Sequence, residues 1–394
     1  MVFACTSGRS NSVTAPDRTS QPVTQTDPAQ GQFEAADLTV LNQTGLDKAG
    51  LAQVAPGAPG LSQTVLDIVQ GDRRFCPVCA SEAGERFCPI DGTLMVRRVK
   101  LDPARLAYAA GHVIDGRYRI VRSIGRCGFG AVFAAVHTGT GQQVALKVLH
   151  VDAAHDNLQT IRRFWQEAQI TARLRHANTV RVFDVGQTEE GAFYLTMEQL
   201  HGRTLADEIE ERQGHSLSEA ETAAVGIEIC KSLQEAHRAG LVHRDLKPAN
   251  VMLCEGADLS DDSVVAGRWQ IKVLDFGIAR TADSSLTGQG SALGTPAFMS
   301  PEQCRGRDVD ARSDLYSLGV LLFRCATGRL PFVDENPLAV LFHHADTPPP
   351  DPRTLGSQQT SKLMAECLLR ALHKAPTSAL PTPERCNRPC RLCC

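Results

Sequence analysis

The sequence predicts an α+β protein made of two lobes with a cleft between them. Two observations carry this. From residue 118 to about 198 the chain is dominated by short β-rich runs joined by Gly-containing turns, and after His201-Gly202 it becomes helical. No internal repeat competes with the reading, and 394 residues suffice for two or three ordinary domains.

The elements follow in order. Residues 1–71 are rich in Gln, Thr, Ala, Pro and Gly, carry few aromatics and show no sustained periodicity, so they read as a disordered leader. Within them, residues 61–69 have the pattern of a brief amphipathic helix. Residues 75–95 form a compact Cys-containing module, and residues 96–117 a connector. Runs at 118–125, 131–138 and 143–150 are β-rich. Ile161, Trp165, Ala168 and Ala172 then recur at helical spacing, and strand-like runs return at 180–185 and 193–197. Thr204 with Asp207, and Ser218 with Glu221, are capping boxes that open helices; the longer helix places Ala223, Ile227, Cys230 and Leu233 on one stripe.

Hydrophobic residues make up 42% and charged residues 22%, as in soluble globular proteins. The formal net charge of -3 gives no electrostatic case for nucleic acid or an anionic membrane. No apolar run approaches the roughly 20 residues of a membrane span; the best, at 315–326, is short and contains Arg324. Residues 1–8 lack the features of a secretory signal, so the chain reads as cytoplasmic. Its 14 cysteines then read as reduced thiols or metal ligands rather than disulfides. Cys230, Cys254, Cys304, Cys325 and Cys367 are expected as small buried hydrophobes.

The Cys module contains Cys76-Pro77-Val78-Cys79 and Phe87-Cys88-Pro89-Ile90-Asp91-Gly92. Two-residue spacing lets paired ligands grip one ion from a tight turn, so the module looks like a zinc ribbon whose usual fourth cysteine is replaced by Asp91. Cys76, Cys79, Cys88 and Asp91 are the candidate Zn²⁺ ligands. Three cysteines and one Asp are less specific than two complete Cys pairs, and a metal-free turn module remains the alternative.

The most informative stretch is His243-Arg244-Asp245-Leu246-Lys247-Pro248-Ala249-Asn250, followed downstream by Asp275-Phe276-Gly277. Together these resemble the catalytic loop and metal-binding segment of a protein kinase, in particular the eukaryotic-like (Hanks-type) bacterial serine/threonine kinases. The resemblance covers residues 118–376 and implies a bilobal kinase fold. It also implies roles: Asp245 orients and deprotonates the attacking hydroxyl, Lys247 neutralises charge on the transferring phosphate, and Asn250 and Asp275 hold Mg²⁺. Lys247 directly after Asp245-Leu246 is the serine/threonine version of the loop.

Ile124-Gly125-Arg126-Cys127-Gly128-Phe129-Gly130-Ala131-Val132 resembles the Gly-rich loop over the phosphates of ATP, where backbone N–H groups must approach closely. Cys127 stands where the family has its second glycine, which puts ATP affinity and rate in question. Val144-Ala145-Leu146-Lys147 matches the strand whose lysine contacts the α and β phosphates, and Glu167 on the next helix is the expected partner of Lys147. Met197-Glu198-Gln199-Leu200 resembles the hinge, with Met197 behind the adenine and the backbone of Glu198 and Leu200 at its edge. Residues 294–302 resemble the end of an activation segment, with Thr295 placed to bond the catalytic Asp and Lys and Ser300 in place of the usual Ala. Asp314 is expected to brace the catalytic loop. Arg244 is expected to receive a phosphate from the activation loop, where Ser284, Ser285, Thr287 and Ser291 are available.

An insert at 254–268 with Asp258, Asp261 and Asp262 reads as a solvated loop rather than a Ca²⁺ site. After Pro376 the arginine that would pair with Glu302 is missing, and residues 377–394 form an atypical Cys-rich tail. The expected function is ATP-dependent phosphoryl transfer to protein Ser/Thr hydroxyls, with self-association for autophosphorylation. Two rival readings are a catalytically weak pseudokinase-like scaffold, motivated by Cys127 and the tail, and a partner-binding role centred on the Cys module and leader.

Overall fold

The computed structural model describes residues 74–97, 108–127, 130–149, 158–255, 264–265, 269–276, 296–355 and 360–374; the leader at 1–71 and the tail at 377–394 lie outside these. A small three-stranded sheet comes first: β1 (Arg74–Phe75), β2 (Glu82–Ala83) and β3 (Val96–Arg97), with β1 central. A six-stranded antiparallel sheet follows, in spatial order β4 (Val113–Ile114), β5 (Tyr118–Cys127), β6 (Gly130–His137), β7 (Gln143–Leu149), β9 (Phe193–Glu198) and β8 (Val182–Gln187).

Strand β7 is apolar on both faces because both are covered. Val144, Leu146 and Val148 enter one core with Ile120, Phe133 and Tyr194. Ala145 and Leu149 face another, built with Val132, Met197 and helix α1 (Leu158–Thr171). Lys147 shares their side of the pleat by strand alternation, and so points with them. Helix α1 buries Ile161, Phe164, Trp165 and Ala168, the i, i+3, i+4, i+7 stripe of an amphipathic helix, with the Phe164 ring 5.1 Å from that of Phe193.

The second lobe opens with β10 (Gly202–Thr204) and α2 (Leu205–Glu211), then α3 (Glu219–Arg238). Both helices start at complete capping boxes, Thr204/Asp207 and Ser218/Glu221, as the sequence predicts. A four-stranded sheet runs β10, β11 (Val251–Cys254), β13 (Trp269–Val273), β12 (Val264–Val265). Helices α4 (Pro301–Cys304), α5 (Ala311–Thr327), α6 (Pro337–Asp346) and α7 (Lys362–Ala371) complete the lobe. Helix α5 is buried on most of its circumference, with Leu318, Leu321 and Cys325 in one core and Tyr316, Val320 and Phe323 in another. This explains the apolar run at 315–326: it is the central helix of the lobe. Among the described residues, no helix is long and apolar enough to cross a membrane.

Three local readings change. The buried stripe of α3 is Thr222, Val225, Ile229 and Leu233, whereas Ala223, Ile227 and Cys230 are only half-buried. The helix packs on α5 and on β13 at once, and apolar residues lie round much of it, so their spacing alone does not fix which stripe turns inward. Of the five scattered cysteines, Cys254 and Cys325 are buried, while Cys230, Cys304 and Cys367 are intermediate. The Cys module runs through Arg97, because β3 closes its sheet against β1, and the six-stranded sheet of the first lobe starts at Val113 rather than after residue 117. Tyr108 already belongs to that lobe: its ring meets Phe133 edge-on at 6.2 Å and its hydroxyl donates to Glu190.

Candidate active site

Strands β5 and β6 pair down to Cys127↔Gly130, on either side of Gly128 and Phe129, which lie outside the described residues. Gly130 has φ of 156°, and a Cβ there would collide with the Val148 carbonyl, so glycine is required at this position. Ile124, Val132, Ala145, Met197 and Leu200 come together in one apolar cluster, while Gly125, Arg126 and Ala131 lie on the same pair of strands. Two members were missed: Met252 on β11 and Leu274, just before Asp275, line the cluster from the second lobe. Their positions, two residues after Asn250 and one before Asp275, were the available signal. Glu198 N–H donates to Arg181 O, and its carboxylate accepts from Lys272 Nζ at 2.8 Å.

Lys147 Nζ lies 2.6 Å from Asp275 Oδ1. Burial alone would raise the Asp275 carboxyl, but the Lys147 ammonium, joined by the charges of His243 and Lys247, outweighs it and holds the group below the usual carboxylate range. Asp275 sits at φ 54° and Arg244 at φ 64°, both sparsely populated values for non-glycine residues. The strain at Arg244 is held by Asp314, which is fully buried and accepts from His243 N–H at 2.8 Å and Arg244 N–H at 2.9 Å. His237 Nε2 lies 2.7 Å from the same carboxylate, a partner that the motif did not announce. Gln303 adds a further brace by donating Nε2–H to Arg244 O at 2.8 Å, while Ser300 caps α4 in a box with Gln303.

Within the loop, Lys247 Nζ lies 2.8 Å from Asp245 Oδ2. Asn250 Nδ2 donates to Asp245 O at 2.8 Å and Asp245 Oδ2 at 3.1 Å, so the amide oxygen is the atom of this side chain able to ligate a cation. His243 Nε2 bonds Leu274 O at 2.8 Å, tying the catalytic loop to the segment that carries Asp275. Glu167 accepts from Arg244 Nη1 at 2.8 Å, so helix α1 is joined to the catalytic loop through this pair as well as standing opposite Lys147's strand. Glu302, for which no arginine was found in the sequence, accepts from the Ser313 hydroxyl. Thr295 and the four activation-loop hydroxyls lie outside the described residues.

The Cys module is built from two equivalent turns. Cys76-Pro-Val-Cys79-Ala-Ser81 and Cys88-Pro-Ile-Asp91-Gly-Thr93 share the same bonds: Cys76 N–H to Ser81 O and Ala80 N–H to Cys76 O in one, Cys88 N–H to Thr93 O and Gly92 N–H to Cys88 O in the other. Ala80 (φ 63°) and Gly92 (φ 71°) occupy matching left-handed positions. Asp91 therefore stands where Cys79 stands in the first turn. The ligand atoms of Cys76, Cys79, Cys88 and Asp91 all lie within 4.8 Å of one another. Cys79 Sγ is 3.5 Å from Cys88 Sγ, and Cys76 Sγ is 3.4 Å and 3.6 Å from the two Asp91 oxygens.

A family model described as the protein kinase domain matches residues 118–383. The serine/threonine-protein kinase pkn3 of Myxococcus xanthus is 39% identical over 280 residues, which cover 70% of this chain and 49% of that protein. Pkn1 of the same organism, also a serine/threonine-protein kinase, is 40% identical over 265 residues, covering 66% of this chain and 36% of that one. The chain thus spans half or less of the length of these curated relatives. A solved structure of the PknI kinase domain from Mycobacterium tuberculosis superposes with a TM-score of 0.54 and 28% identity, over 70% of this chain and 95% of that one. Family model, curated relatives and solved structure agree, and the chain belongs to the protein kinase family, among its Hanks-type bacterial serine/threonine members.

Proposed function

We propose that the chain transfers the γ-phosphoryl group of ATP to Ser or Thr hydroxyls of protein substrates. The observation that carries this is the convergence of Lys147 with Asp275 and of Lys247 and Asn250 with Asp245 in one cleft between the lobes. The apolar cluster of Val132, Ala145, Met197, Leu200 and Met252 suits adenine, with the Glu198 carbonyl and Leu200 backbone at its edge. Lys147 meets the phosphates. Asn250 Oδ1 and the Asp275 carboxylate suit Mg²⁺, a hard cation that takes oxygen ligands and supplies charge neutralisation when bound. Asp245 accepts the proton of the attacking hydroxyl, and Lys247 beside it stabilises charge on the transferring group. The substrate segment approaches over a groove of about 740 Å³ that includes Lys247, Phe298, Leu330, Pro331 and Val333. ATP dependence and reduced thiols are consistent with a cytoplasmic setting. A second copy of the chain serves as substrate for self-phosphorylation on the activation segment.

The same proposal gives the Cys module a structural Zn²⁺. Tetrahedral zinc with sulfur at about 2.3 Å and oxygen at about 2.0 Å sets sulfur–sulfur separations of about 3.8 Å and sulfur–oxygen separations of about 3.5 Å. The distances between Cys79 and Cys88 and between Cys76 and Asp91 fall close to these values.

Purified chain with labelled ATP, Mg²⁺ and casein tests the catalytic reading. Turnover should fall on the order of 10²-fold or more in Asp245→Asn and in Lys147→Met. Near-normal turnover in either variant would overturn the assignment.

A further inference from the structure

The Cys module is docked on the helix that the catalytic machinery uses. Val78, inside the first turn, accepts a 2.6 Å hydrogen bond from Arg162 Nη2 of helix α1, and its side chain packs on the core that contains Ile161, Phe164 and Trp165 of that helix. Phe75 of β1 and Val96 of β3 are buried in the same core. A second anchor holds the module to strand β8: Arg97 N–H donates to Gln187 Oε1 at 2.7 Å, and Gln187 Nε2 donates to Arg97 O at 2.9 Å. The side-chain amide of Gln187 thereby imitates a strand partner at the edge of the large sheet. Five residues beyond Arg162 on the same helix, Glu167 bonds Arg244, the neighbour of Asp245.

We propose that a Zn²⁺ ion held by Cys76, Cys79, Cys88 and Asp91 fixes the turn that clamps helix α1, so that metal occupancy sets the position of Glu167 and Arg244 and thereby the rate of phosphoryl transfer. The inference rests on the zinc and kinase readings above. The physical reason lies in the size of the module. Its strands are two residues long, and its own core beyond the shared one is Cys76, Cys88 and Met95 with Val78 and Ala83 against it. So small a unit does not hold its fold by burial alone and depends on a cross-link. With the ion, Val78 O is fixed in space and Arg162 has a rigid acceptor. Without it, the turn loses its cross-link, and the helix loses one of its fixed contacts on the side facing the module. Backbone N–H groups of Val78 and Cys79 lie 3.3 and 3.4 Å from Cys76 Sγ, and Ile90 N–H lies 3.4 Å from Cys88 Sγ, an arrangement that stabilises thiolates bound to a metal.

The test uses the full chain and three readouts: zinc content by mass spectrometry of the metal, amide hydrogen exchange across Leu158–Thr171, and labelled-phosphate transfer. The wild type should carry one zinc per chain, and Cys88→Ser should lose it. Arg162→Ala should keep the zinc yet exchange faster in α1 and transfer phosphate about tenfold more slowly, a size expected when a catalytic group is misplaced. Arg162→Lys, which retains a donor for Val78 O, should recover part of both. Asp245→Asn should keep zinc and slow exchange while losing transfer. A chain that binds no zinc overturns the metal assignment. Zinc binding with unchanged exchange and transfer in Arg162→Ala overturns the coupling. An inactive wild type in which zinc removal still speeds exchange in α1 overturns the kinase reading and leaves the clamp standing.

Discussion

Asp314 shows how much one side chain decides. It is fully buried and takes hydrogen bonds from two consecutive backbone N–H groups of the catalytic loop, with His237 on the same carboxylate. Asp314→Ala leaves those groups without their acceptor in a dry site and releases a loop held at a strained φ. It should cost about 3 kcal/mol or more of stability, read from urea unfolding, and abolish transfer; a variant of wild-type stability would contradict the bracing role. His344 makes a second prediction at this scale. Burial, reinforced by the charge of Lys374, pushes its imidazole from 6.5 down to about 3, and Tyr316 bonds its Nδ1 at 3.0 Å. The folded pKa lies below the unfolded one, so the unfolded chain binds the extra proton between these values. Stability from this group is therefore fully present above pH 6.5 and is lost as pH falls toward about 3, with a limiting slope of about 1.4 kcal/mol per pH unit. His344→Gln should flatten that part of the curve, measured as unfolding midpoints from pH 7 to pH 4; an unchanged slope would sink the assignment.

Among the elements, legibility followed how singular each local signal was. The capping boxes at Thr204 and Ser218 were readable because a side chain and a backbone three residues on satisfy each other without help from the rest of the fold. The strands around Lys147 were readable because covered sheets give unbroken apolar runs. The face of α3 was not, because its neighbours choose it. Nor were Met252 and Leu274, whose apolar side chains look like ordinary core until the second lobe folds up against the hinge. Similarly, Ser300 looked like a mild replacement in its motif; in the folded chain it caps α4 and positions Gln303 against the Arg244 carbonyl. The motif residues Lys147, Asp245, Asn250, Asp275 and Asp314 could be singled out in advance by the resemblance of their motifs, and the fold pairs Lys147 with Asp275 and Asn250 with Asp245, whereas His237 and Gln303 act by position in space.

Across the whole molecule, the two lobes meet where the apolar cluster of one receives Met252 and Leu274 of the other, so the cleft is also part of the core. We expect the activation segment to be the regulated part of this arrangement. Arg244 stands next to Asp245, and a phosphate on Ser284, Ser285, Thr287 or Ser291 would add charge-assisted hydrogen bonds there. Mass spectrometry after incubation with ATP should find the modification, and replacing all four hydroxyl residues by Ala, with Thr295 kept, should lower activity on an external substrate severalfold. Equal activity would remove the segment from the control scheme. The paired turns of the Cys module have a different kind of consequence. They read as one six-residue unit written twice, with a single candidate ligand altered in the second copy. A site of three thiolates and one carboxylate exchanges its ion more readily than one of four thiolates, so the chain would follow the free zinc around it rather than keep whatever ion it first met. Restoring the repeat with Asp91→Cys should convert a responsive site into a permanent one, seen as slower zinc transfer to a chelator, and the difference between the two chains would show what the organism gains from the imperfect copy.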